Sequence, residues 1–351
     1  MRAATIVLCL GLTAALPRTA AAQSTATYRA QVTTEVSVNQ TNGASPLVPA
    51  GSDAWTRGAL FVVTGAGSWD YAGRLKLAGG LAMSGASGGG VRARAREGYA
   101  RLSAADWMDV ELGKRLVRWG VGYGFAPAGV LDPPRVATDP TDRLGVNEGR
   151  PMARVDLFRR DSSVTLAASS DRLVAARVRT VAAGGLEIAV IASAAPGAGP
   201  SWGGTLTHVV GRRLEWHAEV IEQDAKDRRA ISAVAGVQYT FPAGVNVVLE
   251  YHRDGRLRQD AGATGRGLGG RHESLFVRAA RSGAETTLAP ELILIAGLHD
   301  GSRTLVPGVI WTPVARLPIY ARATHLFGGR RSIARLAPWS SSFTVGASLR
   351  F

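Results

Sequence analysis

The chain has 351 residues, of which 46% are apolar and 19% charged, with one cysteine and a formal charge of +14. A single thiol excludes a disulfide framework, so a chain of this size needs a large core or a membrane to hold it. Beyond the N-terminal segment no stretch approaches the roughly 18 apolar residues of a spanning helix, and apolar residues are spread evenly, as they are when they occupy every second position.

Residues 1–22 read as a cleavable secretory leader: a basic start at Arg2, an apolar stretch from Ala3 to Leu16, and Ala20, Ala21 and Ala22 ahead of Gln23. Cys9 lies inside the apolar stretch without the small residues a lipoprotein site needs, so it leaves with the leader. Removing Arg2 and Arg18 leaves a charge of +12 on a mature chain, 23–351, that contains no thiol. The excess is nearly all arginine, since Lys76, Lys114 and Lys226 are the only lysines. Such a balance can suit nucleic acid, but a secreted chain meets other anions, namely lipopolysaccharide phosphates and small solutes.

From there on, stretches of alternating polarity recur at the length of tilted spanning strands. They lie near 27–38, 57–68, 70–83, 92–104, 106–119, 150–159, 162–170, 172–182, 185–195, 201–210, 213–223, 229–240, 243–253, 272–281, 284–298, 305–315, 318–327 and 341–351. The pair 162–170 and 172–182 is the least regular, so the expectation is sixteen to eighteen strands. Their connections alternate between tight (Ser68-Trp69, Ala104-Ala105, Gly211-Arg212, Phe241-Pro242) and longer (39–56, 84–91, 120–149, 254–271, 328–340). One-sided loop length is the asymmetry of an outer-membrane barrel. In lipid only helices and closed barrels satisfy their backbone groups, and helices are already excluded. Trp55, Trp69, Trp107, Trp119, Trp202, Trp311 and Trp339 fall near strand ends, where they would form aromatic girdles. A soluble sandwich or propeller explains neither feature, and no blade-length repeat is present.

Strict alternation also assigns faces. Arg74 and Lys76 fall opposite Gly73, Leu75 and Leu77. Arg92, Arg94 and Arg96 alternate with Val91, Ala93 and Ala95, and Arg177 and Arg179 with Ala176 and Val178; Arg322 falls on a similar face. Of the other sign, Asp109 and Glu111 share a face with Arg115, while Glu215, His217 and Glu219 alternate with Leu214, Trp216, Ala218 and Val220. An Arg facing lipid at mid-depth costs about 2–4 kcal/mol, so these residues are expected in the lumen. Either they line a wide water-filled passage or they pair across strands and fill a closed barrel.

The longest connection, 120–149, is broken by glycines and by Pro127, Pro133, Pro134 and Pro140, and holds Asp132, Arg135, Asp139, Asp142, Arg143 and Glu148. At the far end of the chain Phe343, Val345, Ala347, Leu349 and Phe351 share one face, with Ser342, Thr344, Gly346, Ser348 and Arg350 on the other. A last strand of this kind, closed by a terminal Phe, is the form that the barrel-assembly machinery reads.

Gly113, Lys114, Arg115, Arg118, Trp119, Gly120, Pro127, Leu131, Pro133, Pro134, Asp139 and Pro140, with a second echo at Leu249-Glu250-Tyr251-His252, resemble a family of bacterial outer-membrane porin-like barrels. The resemblance implies that 120–149 folds inward as a constriction, with Arg118, Trp119, Asp132, Arg135, Asp139, Asp142 and Arg143 at the opening. The alternative is a loop packed on the wall through Trp119, Tyr123 and Phe125.

Enzymatic signatures are poor: no HExxH, no paired cysteines and no Gly-x-Ser-x-Gly elbow are present, and His252 with Asp254 or His299 with Asp300 is a pairing that chance supplies. No cofactor or metal site is expected. The reading is an all-β transmembrane antiparallel barrel, a non-enzymatic outer-membrane channel for small hydrophilic, mainly anionic solutes. Its partners are membrane lipid, lipopolysaccharide and the assembly machinery, with no nucleic acid. The rivals are a substrate-specific barrel for an acidic polysaccharide or a hydrophobic compound, and a non-conducting structural barrel.

Overall fold

The computed structural model describes residues 24–225, 228–256, 273–281, 287–329 and 332–351. The expected leader lies outside them. Alternating sequences form eighteen strands in one antiparallel sheet that closes on itself. In chain order they are β1 (Ser24–Thr41), β2 (Trp55–Tyr71), β3 (Leu75–Ala86), β4 (Val91–Ala105), β5 (Met108–Arg115), β6 (Arg150–Arg159), β7 (Ser162–Ser169), β8 (Val174–Ala182), β9 (Leu186–Ala195), β10 (Gly199–Val210), β11 (Leu214–Ala225), β12 (Arg228–Thr240), β13 (Val245–Arg253), β14 (Glu273–Arg281), β15 (Leu288–Gly297), β16 (Arg303–Val314), β17 (Leu317–Phe327) and β18 (Trp339–Arg350). A single turn of helix, α1 (Ile333–Leu336), sits between the last two. Each strand pairs with its chain neighbours, and β1 also pairs with β18 from Gln31↔Arg350 to Gln40↔Ser341. Closure leaves no unpaired edge, and β7 and β8, the doubtful pair, are both present.

Register decides the faces, because side chains alternate with a period of two. Val110, Leu112, Val178, Val190, Leu249, Phe343, Val345 and Leu349 are exposed on the outer surface, while Thr33, Glu111, Met152, His217, Glu250 and Ile293 are buried within. Phe351 lies just past β18, where its amide donates to the Ala30 carbonyl at 2.9 Å.

Several boundaries differ from the sequence expectation. β2 runs through the expected Ser68-Trp69 turn to Tyr71, and the chain reverses at Ala72 and Gly73, whose φ angles are 53° and 66°. Arg74 therefore lies in that turn, exposed, rather than on the lumen face of a strand. β4 likewise passes Ala104-Ala105 and reverses at 106–107. The shift from Gly80↔Glu97 to Leu81↔Ala95 marks a β-bulge at Arg96. A bulge swaps the inward set, so Tyr99 and Arg101 face in beside the next turn while Arg92 and Arg94 face in at the other end. β5 stops at Arg115 instead of 119, which makes the following connection 116–149. Together with 42–54 and 328–338 it lies at one end of the barrel, opposite the tight turns 72–74, 106–107, 160–161, 211–213 and 315–316. Trp119 is no girdle residue: it is 3% exposed and lies inside, whereas Trp55, Trp107, Trp202 and Trp311 are about half exposed on the outside.

Candidate functional site

A ring of sixteen to eighteen strands encloses more space than wall side chains can fill. Here that space receives residues 116–149. The stem of this loop continues the sheet where β5 has ended: Gly149 N donates to Arg96 O at 2.8 Å, and Arg96 Nε to Asn147 O at 3.1 Å. Glu148 bridges Arg94 (2.9 Å) and Lys114 (2.8 Å), and the Lys114 ammonium, with Arg94, holds its carboxyl below the usual carboxylate range. Asp142 lies 3.8 Å from Arg96.

From the stem the chain drops against one wall. Trp119, Val117, Ala128 and Leu131 pack on Met152 of β6, Ala167 of β7, Ala175 of β8 and Ile191 of β9. It then crosses toward the far wall. Tyr123, Phe125 and Ala137 pack on Val248, Phe276, Ile293, Ile295 and Val306, from β13 to β16.

Between these apolar contacts lies a polar latch. Glu219 on β11 is 2% exposed and Glu250 on β13 is fully buried. Glu219 accepts the amides of Gly122 at 2.7 Å and Ala128 at 2.8 Å. Glu250 accepts the amides of Tyr123 and Gly124, the latter at 2.8 Å, and shares a hydrogen bond of 2.8 Å with His217 Nε2. A buried carboxylate is tolerable only when its lone pairs are satisfied, and four loop amides and an imidazole do this here. The approach needs glycine: a Cβ on Gly122 would lie 2.1 Å from Phe125 O and 3.0 Å from Glu219 Oε1, and one on Gly124 would lie 2.7 Å from the Phe276 ring.

The loop also braces itself. Asp132 accepts the amides of Trp119 (2.6 Å) and Gly120 (3.3 Å), and burial pushes its carboxyl up. Arg135 donates to the carbonyls of Gly122 and Gly120, the second at 2.9 Å. Arg143 pairs with Asp139 at 3.2 Å and sits 4.9 Å above the Tyr320 ring. Arg118 shares a cleft of about 110 Å³ with Asp132 and Asp142. Burial, reinforced by the nearby Glu215 carboxylate, pushes the Tyr123 phenol up to about 12.

Wall charges divide into two kinds. Arg101 pairs with Asp109, Arg115 with Glu97 (3.2 Å) and Glu111 (3.4 Å), Arg154 with Asp156 (2.9 Å), and Arg177 and Arg179 with Glu187 (3.2 and 2.5 Å). Lys76 and Arg322, by contrast, make no ion pair among the described residues. His252 stacks on Phe125 with ring centroids 4.0 Å apart, Asp254 holds Arg256 at 2.8 Å, and Asp300 accepts the Ser302 amide and hydroxyl.

The sequence points to His217 and Glu219 as lumen residues, to Glu148 among the loop charges and to Glu250 within the second porin-like echo, but not to Glu97 or Arg29. Alternation with outward Leu249 and Tyr251 already turned Glu250 inward; its contact with the loop depends on a chain reversal that no local pattern encodes.

No protein-family model and no curated protein matches the sequence. Solved structures match in shape. An engineered protein described for asymmetric conductivity aligns with a TM-score of 0.53 at 9% identity, over 93% of this chain and 100% of that one. A triple mutant of the Rhodopseudomonas blastica porin gives the same values, and another variant of that porin gives 0.53 at 10% identity with the same coverage. At this identity the likeness is one of fold: an eighteen-stranded closed barrel resembling a porin.

Proposed function

We propose that the protein is an outer-membrane channel through which small hydrophilic solutes, anions preferred, diffuse passively, and that residues 116–149 set the width of the passage. The observation that supports this most is the latch. Glu219 and Glu250 hold the loop across the lumen, away from the outer rim, in a ring wide enough to carry water. The exposed apolar outer surface suits lipid, and charges facing inward suit a hydrated interior. In this reading Lys76, Arg92 and Arg322 act on permeating solutes, while Arg94 and Arg96 hold the loop stem.

A second reading, a filled and non-conducting barrel, is favoured by the ion pairs that run through the lumen from β4 to β9. Single-channel recording of the refolded mature chain in a planar bilayer, under a KCl gradient, separates the two. Stable conductance with a reversal potential on the anion side is the expected result. Silence from a folded, heat-modifiable barrel would overturn the channel.

A further inference from the structure

Strands nine apart in a closed ring of eighteen face each other, so the latch on β11 and β13 lies opposite β2 and β4. That opposite wall, on the side of the tight turns, carries a recess of about 350 Å³ whose lining includes Thr27, Arg29, Ser68, Lys76, Glu97 and Arg115. It contains three cations and one carboxylate, and the carboxylate is already occupied. Glu97 Oε1 accepts Arg115 Nη1 at 3.2 Å and the Leu116 amide at 2.9 Å. Arg115 in turn lies 4.1 Å above the Tyr99 ring.

Arg29 and Lys76 make no ion pair among the described residues. Lys76 stands in register between Asp70 on β2 and Arg101 on β4. Asp70 directs Oδ1 to the Gly73 amide at 3.0 Å, and Arg101 is held by Asp109. Lys76 thus has a carboxylate opposite it on one side, turned through Oδ1 to the Gly73 amide, and a like charge opposite it on the other, an unfavourable cross-strand pair. Thr27 Oγ1 and Ser68 Oγ lie 2.9 Å apart. Whichever donates, the other keeps its own hydroxyl hydrogen for a third partner.

We propose that this recess is a binding site for a small oxyanion carrying two negative charges, with the Arg29 guanidinium and the Lys76 ammonium as its counter-charges and the Thr27/Ser68 pair as a neutral donor. A guanidinium fork and an ammonium together fit the oxygens of phosphate or of a dicarboxylate. The site deepens the channel reading and rests on it for the route by which the solute arrives, but binding itself does not require conduction.

Inorganic phosphate is the probe, titrated calorimetrically into the refolded full mature chain in detergent at low ionic strength and about pH 7.5, where phosphate is largely doubly charged. Wild type should bind it saturably, and Arg29→Gln and Lys76→Gln should each weaken binding by about tenfold or more while keeping heat-modifiability. Lys76→Arg should restore most of it. Unsaturable binding, equal affinity in all variants, or acetate binding as tightly as phosphate would each overturn the site, whatever the channel does. Saturable binding lost in both Gln variants of a barrel that carries no current would sustain the site while removing the channel.

Discussion

The Gly122 amide meets Glu219 Oε1 at 2.7 Å, joining a loop that leaves β5 to a strand a third of the way round the ring. Glu219 keeps both oxygens engaged, since Ala128 donates to the second. Replacing the carboxylate by an amide keeps the shape but removes one acceptor and the charge. Glu219→Gln and Glu250→Gln should each cost about 1–3 kcal/mol of loop anchoring, leaving the barrel folded. The measurement is single-channel noise: both variants should flicker more and reach a larger maximal conductance than wild type. Traces identical to wild type would remove the latch from the channel's design.

Steric demand gives an independent handle. A methyl on Gly122 has no room beside Phe125 O, whereas Gly65 on β2 has nothing within 4 Å of its Cβ position. Gly122→Ala should therefore reproduce the Glu219→Gln trace and Gly65→Ala should match wild type. Similar behaviour of the two alanine variants would mean that the loop approaches the wall less closely than described.

Tryptophan reports where the loop lies. Seven of the eight indoles lie outside the loop, and Trp119 is enclosed by Met152, Leu131 and Ile191. In liposomes of brominated lipid the exposed indoles should be quenched and a blue-shifted residual emission should survive. Trp119→Phe should abolish that residual, and Trp119→Ala should in addition cost about 3–5 kcal/mol through the cavity it leaves. A residual that persists in Trp119→Phe would place the loop elsewhere.

Strand number, faces and the terminal strand were legible because each rests on local alternation: Phe343, Val345 and Leu349 had to share a face whatever the rest of the chain did. Turn positions were less legible. Ser68-Trp69 looks like a turn because a serine precedes a girdle residue, yet the reversal goes to Gly73, which tolerates positive φ without strain. Arg96 was read as one of a row of three lumen cations; the bulge beside Gly80 and the stem residues Asp142 and Asn147 give it a structural partner instead. Glu250 was visible as inward-facing but not as a partner of Tyr123 and Gly124, since hydrogen bonds over more than a hundred residues leave no local trace.

Acid should release the stem. Glu148 is held by Lys114 and Arg94 with its carboxyl depressed, and it is partly exposed to solvent. A depressed carboxyl contributes stability that is fully present above its unfolded pKa, about 4.3, and is lost as pH falls through the lower folded value. Hydrogen exchange of the peptide around Gly149, whose amide donates to Arg96 O, should accelerate below about pH 4 beyond the intrinsic rate change. Glu148→Gln should show the fast exchange already at neutral pH and little further loosening in acid, and Arg94→Gln should move partway toward it. If exchange at neutral pH is the same in Glu148→Gln and wild type, Glu148 does not anchor the stem, and the Arg92, Arg94 and Arg96 row returns to its first reading as a lining that solutes meet.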